Sequence, residues 1–332
     1  MRFSLRILLL LICTAFLLFG CGSDEEKALS HFDKGKAYFE KNEYREAEIE
    51  LRNAVKRDKT LFDAHMLLGE TYLKLGNVAD GFKSFARAAE IDPQNTDVQL
   101  KVATLFVLNR QFEDAQKRID IILEQDPNQT RALMMQALIM SAQGDLSESK
   151  SIYKQIVELD PKIVQAYVGL ARISSREGNE TEAEETLKSS LAINPDALQP
   201  RLMLAGLYAR SGKNDRAEDL LLEIIKLKPD NWKAYINLGN FYTNLNLRAK
   251  AEKAYIDATE IDPENTSPYL ALAAFYEKTG QRDKMLPVYE KALSSNPQDA
   301  RILTAIARYH FQNKDIPKAE EYLSKVSEIR PN

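Results

Sequence analysis

An X-Pro dipeptide recurs every 34 residues through this 332-residue chain: Asp92-Pro93, Asp126-Pro127, Asp160-Pro161, Asn194-Pro195, Lys228-Pro229, Asp262-Pro263, Asn296-Pro297 and Arg330-Pro331. No insertion interrupts the spacing, and the phrase EIDPQNT at 90–96 returns as EIDPENT at 260–266. A fixed period of this length marks one supersecondary unit repeated, not two globular domains joined by a linker. Proline cannot continue a helix interior and it pushes its predecessor out of the α region, so each dipeptide ends a helix.

Counted by this period, repeats begin near residues 28, 62, 96, 130, 164, 198, 232, 266 and 300. The eighth position is Gly or Ala in every repeat, from Gly35 and Gly69 to Ala307. The twentieth is small except at Met285, the eleventh is aromatic at Tyr38, Tyr72, Phe106, Tyr208, Tyr242 and Tyr276, and the twenty-fourth is bulky, as at Leu51, Phe85 and Ile119. Small residues let two helices approach closely and bulky ones fill the space beside them. Apolar residues at three-four spacing in YINLGNFY (235–242) and AEKAYIDATEID (251–262) predict a helix in each half of a repeat, and Gly76, Gly144, Gly178, Gly212 and Gly280 mark the turn between them. The expectation is a helix-turn-helix per repeat, stacked on its neighbours around one continuous core. Pro287, at position twenty-two, predicts a kink or a late start in the second helix of the eighth repeat.

This pattern resembles the tetratricopeptide repeat (TPR). The resemblance covers residues 28–332 and implies an all-α, right-handed α-solenoid of about nine units. It implies further that extended peptides, or a helix of another protein, bind in a concave groove lined by the first helix of each repeat. Carried over by position, the groove has an apolar part at Leu100, Val107, Leu108, Met134 and Leu138. A cationic part follows at Arg172, Arg176, Arg210, Lys233, Lys278, Arg301 and Arg308, with Glu277 as a lone acid. Asn237 and Asn240 resemble the backbone-gripping asparagines of some TPR grooves. Two readings of the cations stand: they bind a peptide with apolar and acidic residues or an anionic glycan, or they solvate the inner helices. The Lys, Asn and Arg set that clamps chaperone tails is not reproduced across three successive repeats. The ninth repeat ends without a further helix over it, which suggests either cover by a partner or a second copy, or fraying.

The other informative stretch is the start of the chain. Arg2 and Arg6 precede the apolar run Ile7 to Phe19, which is short for a bilayer span and the right length for the core of a signal peptide. Residues 18–21, LFGC, resemble the lipobox of bacterial lipoproteins, with Cys21 as the lipidated residue. The resemblance implies a cleaved lipoprotein signal peptide over 1–20 and a polar tether over 21–27. Gly22 after the cysteine implies an outer-membrane lipoprotein facing the periplasm, with the inner membrane as the alternative. Cys13 would leave with the signal, so no disulfide is expected.

Lys and Arg number 45 against 49 Asp and Glu, for a net charge of −4, and loss of Arg2 and Arg6 deepens the imbalance; nucleic acid is a poor partner for such a chain. His31, His65 and His310 lie far apart without metal-ligand spacing, and no phosphate loop, nucleophile elbow or CxxC is present. No catalysis, cofactor or metal is therefore expected. The expected function is a lipid-anchored scaffold that assists an envelope export machine. TPR lipoproteins serve exopolysaccharide and exosortase-linked export and type IV pilus biogenesis. AEIELRNAV (47–55) resembles a first-repeat phrase of the exosortase-linked group, whereas the pilus-linked family has fewer repeats. The rival reading is direct binding of anionic polysaccharide.

Overall fold

The computed structural model describes residues 23–329, which form eighteen α-helices, one 3-10 turn and no strand. The chain divides into two compact blocks at Asp160 and Pro161. The first block holds α1 (Asp24–Glu40), α2 (Tyr44–Arg57), α3 (Phe62–Lys74), α4 (Val78–Ile91), α5 (Thr96–Leu108), α6 (Phe112–Gln125), α7 (Thr130–Gln143) and α8 (Leu146–Leu159). The second holds α9 (Val164–Arg176), α10 (Glu180–Ile193), α11 (Leu198–Arg210), α12 (Asn214–Leu227), α13 (Trp232–Asn244), α14 (Arg248–Ile261), α15 (Thr266–Lys278), α16 (Met285–Ser295), α17 (Ala300–Gln312) and α18 (Ile316–Ile329). The expected single core gives way to this division: each hairpin packs on its sequence neighbours, so the apolar clusters form contiguous stretches within a block.

The small and bulky positions meet as their spacing implies. A Cβ added at Gly35 would fall 2.7 Å from Leu51 Cγ, and one at Gly69 would fall 2.6 Å from a ring carbon of Phe85. The twentieth position lies on the backbone of the eighth: a Cβ at Gly81 would meet the Gly69 carbonyl at 3.2 Å, and the Ser149 hydroxyl donates to the Ala137 carbonyl at 2.7 Å. Each hairpin is closed by side-chain size at these points.

The turn inside every repeat passes through one left-handed residue at position fifteen. Glycine takes it at Gly76, Gly144, Gly178, Gly212 and Gly280, and Asn42, Arg110, Asn246 and Lys314 take it elsewhere with φ from 58° to 62°. The turn between repeats explains the recurring phrase. In EIDPQNT, Asp92 caps the end of α4, and the Asn95 side chain accepts from the backbone N–H groups of Asp97 and Val98 to start α5. The carbonyl left bare by the proline turn finds a donor at position four: Gln99 on Pro93 at 2.7 Å, Tyr235 on Pro229 and Tyr269 on Pro263 at 3.2 Å, and Arg201 on Pro195. His65 serves the same carbonyl of Lys59 through Nε2 at 3.1 Å, and burial lowers its pKa, so it sits as a neutral donor. A buried carbonyl needs a partner, and any donor of sufficient reach serves.

One further expectation is corrected and one holds. Residues 24–27 are not a tether: Ser23 caps α1 in a capping box with Glu26, and the helix starts at Asp24. The start of the eighth repeat's second helix is late, as Pro287 implied: a 3-10 turn covers Arg282–Lys284, and α16 has 11 residues where α14 has 14. Pro287 then falls in the first turn, where its missing N–H has no intrahelical partner to lose.

Successive repeats from the fifth to the eighth are joined by a three-membered clamp. Tyr208, Tyr242 and Tyr276 donate their phenols to Glu184, Glu218 and Glu252 of the preceding repeat at 2.9, 2.6 and 2.8 Å. Lys213, Lys250 and Lys284 pair with the same carboxylates at 3.0, 3.0 and 2.7 Å and lie over the rings of those tyrosines. Between the second and third repeats the place is taken by Phe82 and Phe106, edge to face at 5.1 Å.

Candidate functional site: an amide-lined cleft in the second block

First helices of neighbouring repeats approach closely at α9 with α11 and at α13 with α15, and less closely at α11 with α13. A cleft of about 390 Å³ opens there. Its α13 wall carries Asn237, Asn240 and Asn244, spaced so that one helix face presents all three. Its α11 wall carries Leu202, Gly206, Ala209 and Arg210, Asn214 and Leu221 come from α12, and Phe241 and Leu245 supply further apolar surface. A Cβ at Gly206 would meet only Arg210 Nη1 at 3.8 Å, so packing does not demand glycine there; its absence of a side chain widens the cleft.

Asn240 is held from below. The buried phenol of Tyr255 donates to Asn240 Oδ1 at 2.7 Å, and burial raises the Tyr255 pKa, which keeps the phenol a donor. With the oxygen occupied, the carboxamide N–H groups of Asn240 are left to donate into the cleft. Arg210 at the mouth lies 3.6 Å from Glu180 in an exposed pair, a contact worth about 0–1 kcal/mol that an incoming carboxylate or carbonyl can displace. Amide donors, one cation and an apolar floor suit an extended peptide segment, whose backbone supplies carbonyls and N–H groups at regular spacing.

Of the residues expected to line a groove, Arg210, Asn237 and Asn240 come together here; Asn244, Asn214, Leu202 and Gly206 were missed, although the Asn237-Asn240-Asn244 spacing is visible in the sequence. The remaining cations do not join them. Arg172, Arg176, Lys278, Arg301 and Arg308 are exposed, and Lys233 lies over the ring of its neighbour Trp232 at 5.4 Å. Leu100 is corrected outright: it is 6% exposed and belongs to the core with Ala103 and Ile119. Val107 packs on that same cluster, Met134 is half-buried and Leu138 is exposed. Leu108 lines a separate apolar groove of about 700 Å³ with Val78, Phe82 and Leu105. Cys21 lies outside the described residues.

The histidines are accounted for by local partners: His31 Nδ1 lies 2.6 Å from Glu50, and His310 Nδ1 lies 3.3 Å from Asp315 with its ring stacked on Tyr322. Among the described residues no group of three His, Cys, Asp or Glu side chains is placed to hold a metal, and no helix is long and apolar enough to cross a membrane.

Comparison with known proteins agrees with this architecture. Residues 27–162 match the family described as the cytochrome c-type biogenesis protein H TPR domain, residues 141–202, 176–238 and 212–274 match a tetratricopeptide repeat family, and residues 266–309 match another. An uncharacterised protein of Haemophilus influenzae is 25% identical over 115 residues, covering 32% of this chain and 64% of that protein. Human superkiller complex protein 3 is 26% identical over 91 residues, covering 27% of this chain and 6% of that protein. The chain thus spans under two thirds of the length of either relative. A crystal structure of a tetratricopeptide repeat protein from Parabacteroides merdae superposes with a TM-score of 0.61 at 18% identity, covering 75% of this chain and 99% of that one. With its hairpins, its inter-repeat packing and its repeat matches running from residue 27 to residue 309, the chain is a tetratricopeptide repeat protein.

Proposed function

We propose that this TPR scaffold is anchored by lipid on Cys21 in the bacterial envelope and assists assembly of an export machine by holding a peptide segment of another protein in the α11–α13 cleft. The cleft carries the proposal: three asparagine amides on one helix face and a single displaceable cation are the chemistry of backbone gripping. The same observation favours peptide over anionic polysaccharide, since a polyanion site needs converging cations and Arg210 is the only cation in this lining. The match of residues 27–162 to a TPR domain of a biogenesis protein supports an assembly role and agrees with an envelope location. The charged start, the apolar run and LFGC support the anchor.

The cleft is tested with a photo-crosslinking residue at Asn244 in the intact chain in its own cells. The expected result is one discrete crosslinked protein, lost in an Asn237→Ala/Asn240→Ala variant and retained when the crosslinker variant carries Lys226→Ala instead. A crosslink that survives removal of both asparagines overturns the cleft. For the anchor, Cys21→Ser is expected to let a high-salt wash release the protein from the membrane while the unaltered protein stays bound, and attachment of the variant that survives the wash overturns it.

A further inference from the structure

The first block carries a second recess, about 610 Å³, walled by α2 and α4 and floored by α3, on the opposite arm of the hairpins from the groove-lining helices. Arg52 and Lys56 stand one turn apart on its α2 wall, and Lys83 and Arg87 one turn apart on its α4 wall. Against these four cations the lining holds one carboxylate, Asp80, which pairs with Lys83 at 2.8 Å. Arg52 and Arg87 each touch an acid on their own helix, Glu48 at 3.4 Å and Glu90 at 2.7 Å, in exposed pairs that a better anion displaces. The floor adds neutral groups: His65, spent on the Lys59 carbonyl, and Tyr72.

The repeat itself does not require this charge. The residues at the same positions between the fifth and sixth repeats are Lys188, Ala192, Asp219 and Glu223, which carry no positive excess. The recess also has a direction. Arg57 pairs with Asp24 at 3.2 Å, which ties the C-terminal end of α2 to the N-terminal end of α1. As second arms of consecutive hairpins, α2 and α4 run the same way, so Lys56 and Arg87 stand at the end where the chain enters at residue 23. Only Gly22 lies between there and Cys21, and two extended residue steps span about 7 Å. That reach is within a Debye length of about 8 Å at physiological salt.

We propose that this recess takes the phosphate of an anionic phospholipid head group at the membrane surface. Its location rests on the lipid-anchor reading; its chemistry rests on the four cations. Arginine meets phosphate oxygens in pairs, lysine adds compact charge, and the recess has room for the glycerol beyond the phosphate. The lipid would orient the first repeats on the bilayer.

The test uses the chain from Gly22 onward, which keeps all eighteen described helices and lacks Cys21, so its outcome is independent of the Cys21→Ser fractionation that tests the anchor. It is sedimented with vesicles of phosphatidylcholine alone and with vesicles containing phosphatidylglycerol. The expected result is retention on the anionic vesicles only, although the chain is itself net negative. A Lys56→Ala/Arg87→Ala variant should lose at least tenfold in apparent affinity, at about fivefold per cation. Lys226→Ala/Lys228→Ala, which removes the same charge from the second block, should bind as the unaltered chain does. Equal loss in both variants reduces the effect to net charge and overturns the recess. Absence of retention on anionic vesicles overturns the proposal, as does saturable binding of glycerol phosphate in solution without vesicle retention, which would make the ligand a soluble phosphate. Circular dichroism confirms that each variant is folded.

Discussion

Asn240 can donate into the cleft because Tyr255 occupies its other end. The phenol proton goes to Asn240 Oδ1, and Thr243, 3.5 Å from the same phenol, sends its own proton to the Gly239 carbonyl at 2.7 Å. Tyr255→Phe removes one buried hydrogen bond and should cost about 1 kcal/mol in a urea melt. It should also free the Asn240 carboxamide to turn, lowering the yield of a crosslink at Asn244 several-fold with helix content unchanged; an unchanged yield would mean that Tyr255 does not set that orientation. Asn237 and Asn240 were legible in the sequence through their resemblance to groove asparagines of other TPR proteins, and Asn244, which continues the same helix face, was missed. The burial of Leu100 was not legible, because position five turns to the core in the third repeat and outward at Leu202 in the sixth, where it is 38% exposed. Periodic numbering assigns a helix face, and the local separation of helices decides whether that face is open.

Helices and turns show the same division between what repeats and what varies. The five turn glycines announce a left-handed residue at position fifteen, yet Arg110 and Lys314 hold that conformation with a Cβ. A left-handed non-glycine residue costs about 1–2 kcal/mol, partly offset by the chain entropy that glycine loses on folding. Arg110→Gly should therefore stabilise the chain by about 0.5–1 kcal/mol in a urea melt, and a loss of stability would show that the Arg110 side chain does more than fill a turn. The clamp was half visible: the aromatic eleventh position stood out, and the glutamate at position twenty-one was lost among many surface acids. Lys188 and Lys213 hold the Glu184 carboxyl down at about 2. The Tyr242 phenol with Lys250, and Lys284 with the Tyr276 phenol, likewise lower Glu218 and Glu252. The folded pKa values lie below the unfolded ones, so the clamps contribute fully above about 4.5, and the contribution is lost as pH falls toward about 2. Thermal melts should show the midpoint dropping through that window. Glu218→Gln should flatten the drop, because it removes one of the three titrating acids while keeping an acceptor for Tyr242; an unchanged slope would remove the clamps from the acid response.

At the scale of the whole chain, a period of 34 residues without insertion made the all-α repeat architecture legible, since the small, bulky and proline positions at that period match one helix-turn-helix per repeat. The division at Asp160 was not legible, because the dipeptide there is the same Asp-Pro that joins hairpins within a block. Local packing of this kind has a measurable consequence. Gly69→Ala would place a methyl 2.6–2.8 Å from three ring carbons of Phe85, a side chain with no exposed surface, and such overpacking costs about 1–3 kcal/mol. Phe85 packs with Ala88, Val98 and Val102, so the strain enters α3, α4 and α5. In an array whose stability is a sum of repeat and nearest-neighbour terms, the loss stays near its source. Hydrogen exchange should show faster exchange in α3, α4 and α5 and unchanged protection in α11 to α15. Phe85→Leu added to Gly69→Ala restores the pairing that Ala103 or Ala171 makes with a smaller partner, and should recover part of the protection. Uniform loss across both blocks would show instead that the chain opens as one cooperative body, and the nearest-neighbour account would fail.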